Sequence, residues 1–450
     1  MKNILWNIFG LLAAVCLSVT NVYGLNGTWR GELDLGQIKL PLVFHFTEAA
    51  DGKTLCTMDS PSQGAQGIST EVAVCTADSL SFTCAAIGAS YTGKITGNII
   101  TGTFRQQGYA FPLNLTPDSP IEERRPQTPK PPFPYSVTDT TFTTADGAIM
   151  SATLTIPSTA ESKKMPAVVM VTGSGPQNRD EELFEHKPFA VIADFLARNG
   201  IASLRYDDRG TGKSTGNFLD ATTSTFMDDA ACGINFLRNV APIGKVGVLG
   251  HSEGGTIAFM LGAEGKTDFI VSLAGMAISG KETLMRQNSH GLDVLNLSAT
   301  DKENSLKLIS RLFDTMIEQA HRGIPMHIDV DSLAKAALVD VPPMIASSLE
   351  ATQKIRTKWF DAFLTLNPRG YLKLVKCPTL AINGEKDVQV SADNLDVVKE
   401  LVPHAKTMSM PGLNHLLQHA GTGEVAEYGE IHETISPEVL DAIVQFIKSL

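Results

Sequence analysis

Positive charge is in short supply in this chain: its 450 residues carry 37 Lys and Arg against 48 Asp and Glu, a formal net charge of −11 at pH 7. Nucleic-acid binding draws its affinity from clustered Lys and Arg on phosphates, so this balance argues against that role. Cysteine is scarce as well, six residues in all, and no C-x-x-C pair occurs among them, so no structural zinc site is expected. No apolar run reaches the roughly 20 residues that a bilayer-spanning helix needs. Repeats of 20–50 residues are lacking. The remainder is ordinary for a globular protein, 43% apolar and 19% charged, and the length implies two or three structural units.

The first 24 residues have the pattern of a secretory signal: Lys2, an apolar run over 4–19, then Asn21-Val22-Tyr23-Gly24. Cleavage ahead of Leu25 is expected, giving an exported protein, periplasmic or secreted, with no stable membrane span. Cys16 follows Leu12-Ala13-Ala14-Val15 and hints at a lipid anchor, but Val15 is bulky where that processing wants a small residue. Cys56, Cys75, Cys84, Cys232 and Cys377 would remain. Export permits a disulfide, Cys75 with Cys84 across a hairpin being the nearest candidate; buried thiols are the alternative.

Three textures follow. Over residues 25–116, Trp29, Gly31, Leu33 and Leu35 alternate with polar neighbours, as do Ile38, Leu40, Leu42, Phe44 and Phe46. That two-residue period, repeated in short runs at 71–75, 80–85, 91–95, 99–104 and 111–115, predicts a small all-β domain, sandwich or barrel. Residues 117–135 hold seven prolines and predict a semi-rigid linker. From 136 to 450 apolar runs alternate with helical stretches: strands at 167–171, 201–206, 245–249, 269–273, 379–383 and 406–410, helices near 188–198, 225–238 and from 254, and a hairpin at Asp146-Gly147. The expected fold class is α/β, a mostly parallel sheet with helices on both faces. Between 278 and 372 the spacing is helical instead (Ile309, Leu312, Phe313, Met316, Ile317), which predicts a helical cap over the strand ends.

Gly250-His251-Ser252-Glu253-Gly254 matches G-x-S-x-G, with an apolar strand before it and a helix-forming run after it. A strand-to-helix elbow strains the serine and presents its hydroxyl at the carboxyl end of the strand, where open α/β sheets bind ligands. Ser252 is therefore the candidate nucleophile. A second match, Gly212-Lys213-Ser214-Thr215-Gly216, is separated from its strand by a loop, so Ser214 is read as structural. The same stretch imitates the end of a phosphate-binding loop, but Asp207 stands where that motif needs glycine.

A serine hydroxyl needs a base, and the base needs an orienting group. Asp387, in the turn beyond the strand at 379–383, is the candidate acid, with Glu385 second. His415, in Pro411-Gly412-Leu413-Asn414-His415 beyond the final strand, is the candidate base. His419 is its rival, and a zinc pair His415/His419 lacks the glutamate of H-E-x-x-H. His404 precedes the strand and belongs at the opposite end. Acyl transfer also needs donors for an oxyanion. The N–H of Glu253 is one candidate; Ser174, with Gly173 beside it, in Val171-Thr172-Gly173-Ser174-Gly175-Pro176 is the other.

With these residues in place, the stretches Gly173-Ser174-Gly175-Pro176-Gln177-Asn178-Arg179-Asp180, Asp208-Arg209-Gly210-Thr211-Gly212-Lys213-Ser214, Gly250–Gly255 and Asn414-His415 resemble the α/β-hydrolase superfamily over residues 136–450. Within it the chain is similar to the serine aminopeptidase-like branch, which includes bacterial carboxylesterases with an N-terminal β-domain. The resemblance implies a Ser–His–Asp triad, no metal and no organic cofactor. One departure is Thr172, where many relatives carry histidine. The leading expectation is a carboxylesterase for small or medium acyl esters. A peptidase or amidase with the same triad is second and would want an anionic site for a peptide N-terminus, for which Asp293 and Asp314 are candidates. A binding protein with an inert hydrolase unit is third. Trp359, Phe360 and Phe363 line either an acyl pocket or the core of the cap.

Overall fold

The computed structural model describes residues 25–35, 39–49, 52–117, 125–158, 164–240, 242–295, 297–354 and 356–450. The expected export signal and Cys16 lie outside them. The chain divides into two compact units after Arg124.

The first unit is a nine-stranded antiparallel sheet of β1 (Gly27–Asp34), β2 (Lys39–Glu48), β3 (Thr54–Ser60), β4 (Ala65–Ser69), β5 (Glu71–Cys75), β6 (Ser79–Cys84), β7 (Ala89–Thr96), β8 (Ile99–Gln106) and β9 (Tyr109–Pro117). Their order is β4-β3-β2-β1-β9-β8-β7-β6-β5, and Thr70 joins the two end strands. The alternating residues enclose one apolar core. At its centre the Phe82 ring stands 5.3 Å from Phe44 and 5.2 Å from Tyr91, and the buried Tyr91 hydroxyl donates to the Leu113 carbonyl at 3.0 Å. Gly102 makes room for that hydroxyl: a Cβ there would lie 2.3 Å from it.

Of the two readings of Cys75 and Cys84, the disulfide is not formed; both, like Cys56, Cys232 and Cys377, are thiols. Register explains why. Cys75 pairs with Leu80 and Glu71 with Thr83, so Cys84 sits at the far end of the hairpin, about 13 Å of strand away.

The second unit is built on an eight-stranded sheet: β10 (Tyr135–Thr143), β11 (Ile149–Pro157), β12 (Met165–Val171), β13 (Ala202–Tyr206), β14 (Ile243–His251), β15 (Ile270–Leu273), β16 (Thr379–Gly384) and β17 (Lys406–Met410). Its order is β10-β11-β13-β12-β14-β15-β16-β17, antiparallel across the first three strands and parallel from β13 onward. In β12, Ala167, Val169 and Val171 enter one apolar layer while Val168 and Met170 enter the other, so a continuous apolar run is buried on both faces. Helices α1 (Pro188–Arg198), α2 (Thr223–Arg238) and α3 (Glu253–Ala263) follow successive strands. This is the α/β-hydrolase fold. The hairpin turns at Asp146-Gly147, with Gly147 at φ 88°. The Thr222–Thr225 capping box starts α2 two residues before the expected position.

Between β15 and β16 the chain is helical, as its spacing predicts: α4 (Gly280–Val294), α5 (Ala299–Arg322), α6 (Val330–Ala337), α7 (Pro343–Lys354), α8 (Lys358–Thr365) and α9 (Pro368–Leu372). Leu308, Ile309, Leu312, Phe313 and Met316 of α5 are buried in a core that this insert forms for itself. Two further helices, α10 (Asn394–Leu401) and α11 (Pro437–Lys448), complete the two helical layers. Among the described residues no helix is long and apolar enough to cross a membrane.

The segment expected as a linker over 117–135 is tied down from Arg125 onward. The Arg125 guanidinium donates to the carbonyls of Phe184, Gly429 and Ile431, and Gln127 bonds Thr434 and Ile435. β9 already includes Pro117 and β10 begins at Tyr135.

Phe44 is fully buried, so Phe44→Ala removes a ring from the centre of the first unit. The substitution is expected to destabilise that unit by about 3–5 kcal/mol. Calorimetry of the full chain should show one transition moved down and the transition of residues 125–450 unmoved.

Candidate active site

β14 runs on to His251, two residues beyond the strand expected from sequence, and α3 begins at Glu253, so Ser252 is the whole of the turn between them. Its backbone stands at φ 54°, ψ −117°, a strained conformation for a residue with a Cβ. The Ser252 N–H donates to the Leu273 carbonyl at 2.8 Å, which ties the turn to the neighbouring strand. The flanking glycines are sterically required: a Cβ on Gly250 would lie 2.0 Å from the Gly254 carbonyl oxygen, and one on Gly254 would lie 2.0 Å from that of Val171. As the first residue of a helix, Glu253 has an N–H with no carbonyl a turn before it.

Asp387 follows β16 and His415 follows β17, and the structure brings them together. Asp387 Oδ2 is 2.7 Å from His415 Nδ1, both side chains buried. Asp387 Oδ1 accepts the N–H groups of Gln389 and Val390, each at 2.8 Å. A carboxylate anchored in this way holds the imidazole with its proton on Nδ1 and its Nε2 lone pair free for a proton. The Ser252 hydroxyl makes no hydrogen bond to His415 among the described residues. Such contacts are commonly long in resting sites and tighten when substrate binds.

Two buried carboxylates grip successive residues of the loop after β12, and a third lies near the next. Asp208 accepts the Thr172 hydroxyl at 3.0 and 3.1 Å, and the Gln177 N–H at 2.9 Å. Glu181 Oε1 accepts the Gly173 N–H at 2.6 Å. The Ser174 side chain approaches the carboxylate of Glu253, which also accepts the Thr223 hydroxyl at 2.6 Å and the Trp359 indole N–H at 2.9 Å. Burial raises the pKa of Asp208 well above the carboxylate range; the Gln177 and Thr172 bonds oppose this, and the charges of Glu181 and Glu253 add to it. Burial raises that of Glu253 too, against its hydrogen bonds.

The Glu181 contact corrects one expectation. Gly173, the second choice after Ser174 as oxyanion donor, already gives its N–H to a carboxylate. The Ser174 N–H has no acceptor among the described residues.

The rivals fall away for equally local reasons. The Ser214 hydroxyl donates to the Asp207 carbonyl at 2.7 Å and accepts the Ser151 N–H at 2.8 Å, a buried brace between the loop after β13 and β11. Glu385 is exposed and accepts from Ser409, and the exposed His419 is held by Glu433. His404 bonds the Cys377 carbonyl, at the opposite ends of β16 and β17. Asp293 and Asp314 pair with Lys302 and Lys281. Of the three aromatics, Trp359 reaches Glu253, Phe360 packs on the core of the insert, and Phe363 lies in a small cluster with Met276 and Val390.

Sequence reasoning passed over His251 and Glu181. The His251 ring bonds Glu181 Oε1 at 3.0 Å through Nδ1 and the His415 carbonyl at 2.9 Å through Nε2. Burial pulls its pKa down, but the Glu181 charge and hydrogen bond, the His415 carbonyl and the Asp387 charge outweigh that and hold it up at about 9. Its contribution to stability is complete below its unfolded value near 6.5 and is lost as pH rises through 9. Asp208 and Glu253, also raised, act with the same sign. Denaturant unfolding should therefore show stability falling from pH 6.5 to 9.5, with on the order of 3 kcal/mol due to His251. A flat profile over that window would contradict the ion pair.

Comparison with known proteins places these residues in a family. The model of the X-Pro dipeptidyl-peptidase (S15) family matches residues 146–421, a span that contains Ser252, Asp387 and His415. An esterase of Thermotoga maritima, EstD, is 27% identical over 287 residues, an alignment that spans 61% of this chain and 61% of that relative's length. Among solved structures, an esterase of Pyrococcus furiosus is 17% identical with a TM-score of 0.43, covering 70% of this chain and 91% of its own. A proline iminopeptidase of Mycobacterium smegmatis is 18% identical with a TM-score of 0.43, covering 69% and 98%. The family match extends over more than half of the chain and over the whole constellation just described: this protein belongs to the X-Pro dipeptidyl-peptidase (S15) family of α/β-hydrolases.

Proposed function

We propose that the protein is a serine hydrolase that cleaves carboxylic esters of small or medium acyl chains. The observation that carries this reading is the buried His415–Asp387 pair, 2.7 Å apart, at the same sheet edge as a serine held at φ 54°. Ser252 Oγ attacks the ester carbonyl as its proton passes to His415 Nε2, and Asp387 stabilises the imidazolium. The oxyanion is met by the N–H groups of Glu253 and Ser174. His415 then protonates the leaving alcohol. Water, deprotonated by the same histidine, attacks the acyl-enzyme and releases the acid.

Two features favour an ester. The matched relative from Thermotoga maritima is an esterase. The carboxylates around the elbow (Asp208, Glu181 and Glu253) face protein donors and are 6%, 5% and 2% exposed, so they offer no open anionic site to a peptide ammonium. Trp359 and Phe363, whose rings are 5.1 Å apart, bring α8 to the elbow, and the insert is assigned the part of a cap that shields the acyl group. The family's name favours the second reading, a peptidase on the same triad.

A fluorophosphonate should label Ser252, and Ser252→Ala and His415→Ala should each lower kcat by about 10⁴-fold or more. Turnover of short p-nitrophenyl esters should exceed that of aminoacyl- and Xaa-Pro-anilides. Preference for the anilides would move the protein to the peptidase reading, and absence of an adduct would make it a binding protein.

A further inference from the structure

His251 occupies the variable position before the nucleophile, and nothing in the reaction above uses it. Its surroundings nevertheless define its chemical state. The His415 carbonyl facing Nε2 can only accept, and Glu181 Oε1 facing Nδ1 already accepts the Gly173 N–H. A neutral imidazole has one N–H and would set a lone pair against one of these acceptors. Against an ionised Glu181, only the imidazolium satisfies both. His251 is 8% exposed and lines a small cavity with the apolar Phe189, Ile192, Leu273 and Leu417. The charged or titratable groups facing it are Glu181 from the loop after β12, Asp387 from the turn after β16 and His415 from the loop after β17.

The result is an unbroken string: Gly173 amide, Glu181 carboxylate, His251 ring, His415 carbonyl. It joins the loop that carries Ser174 to the loop that carries the base. It also passes through the residue covalently next to the nucleophile. The spacing is close throughout. A Cβ on Gly173 would lie 3.2 Å from Ser252 Cβ and 3.1 Å from Glu181 Oε1, and the His251 and His415 ring centroids are 4.8 Å apart. Among the described residues Glu181 Oε2 is buried with no partner, and the carboxylate is held by His251 and Gly173.

We propose that His251, kept doubly protonated between Glu181 and the His415 carbonyl, is a positioning residue that sets the oxyanion loop and the base-bearing loop against Ser252. The proposal rests on the assignment of Ser252 and His415 as nucleophile and base. Loss of the second ring proton breaks the string at one end, so turnover falls on the alkaline side.

The test compares ester turnover by the full chain as wild type, His251→Gln, Glu181→Gln, the double variant and Ser252→Ala. Each single substitution should lower kcat by about 10- to 100-fold, the scale of a misplacement near 1 Å, with KM changed less than threefold. The double variant restores a donor to every acceptor without charge: one introduced amide bonds the other, which in turn donates to the His415 carbonyl. It should recover most of the lost kcat and lack the decline that wild type shows above about pH 9. Single variants with kcat within twofold of wild type overturn the proposal, as does a double variant no better than the worse single. Where a variant fails to fold, nitrogen-15 NMR of the wild-type His251 ring decides: two ring N–H signals at pH 7 support the proposal and one overturns it. An inactive Ser252→Ala beside a fully active His251→Gln sinks this proposal alone, whereas an active Ser252→Ala removes the site reading and this one with it.

Discussion

The site depends on one constraint: a serine forced into a backbone conformation it would not adopt by itself. Holding Ser252 at φ 54° carries a strain on the order of 1–3 kcal/mol, and the surrounding sheet must over-determine it. It does so at three points. Gly250 abuts the Gly254 carbonyl, Gly254 abuts the Val171 carbonyl, and the Ser252 N–H is held by Leu273. β12, β14 and β15 are thereby locked around the turn, and their parallel register sends the following loops to the same sheet edge. Every other feature of the site is placed relative to that turn.

Around it the protein uses buried charge as scaffolding. Asp208 and Glu181 take Thr172 and Gly173 in turn, and the Ser174 side chain lies near Glu253. A loop of small residues has little packing to hold it, and each carboxylate supplies directional hydrogen bonds in a water-poor setting where they are strong. Burial also raises the proton affinities of Asp208 and Glu253. Trp359 brings the helical insert into the same arrangement through Glu253, so the insert is mechanically connected to the residue after Ser252.

Much of the fold was legible because it is written in short-range patterns. The alternation over 39–48 marks a half-buried strand, the apolar run at 167–171 a strand buried on both faces, and the spacing of Ile309, Leu312, Phe313 and Met316 a helix. The elbow motif was readable for the same reason, since its strand, its two glycines and its helix are contiguous. Asp387 and His415 could be proposed from their places just beyond strands, and the structure sets them 2.7 Å apart. What could not be read depends on partners far away in the chain. Gly173 stands just behind Ser174 as a donor in the sequence, and only Glu181, eight residues on, takes its N–H away. His251 has its charge set by Glu181 and by His415, 164 residues on, and Glu253 meets Trp359 across 106 residues. The Cys75–Cys84 pairing failed on strand register, and the apparent linker is held from Arg125 by carbonyls about 300 residues away.

The account turns on where an oxyanion would sit. A crystal structure of the protein with a phosphonate bonded to Ser252 measures this directly. The phosphonyl oxygen is expected between the Glu253 and Ser174 N–H groups, about 2.7–3.1 Å from each, with His415 Nε2 drawn within hydrogen-bond reach of the serine oxygen. An oxygen turned to solvent, or bound instead by Gly173 after release from Glu181, would contradict it.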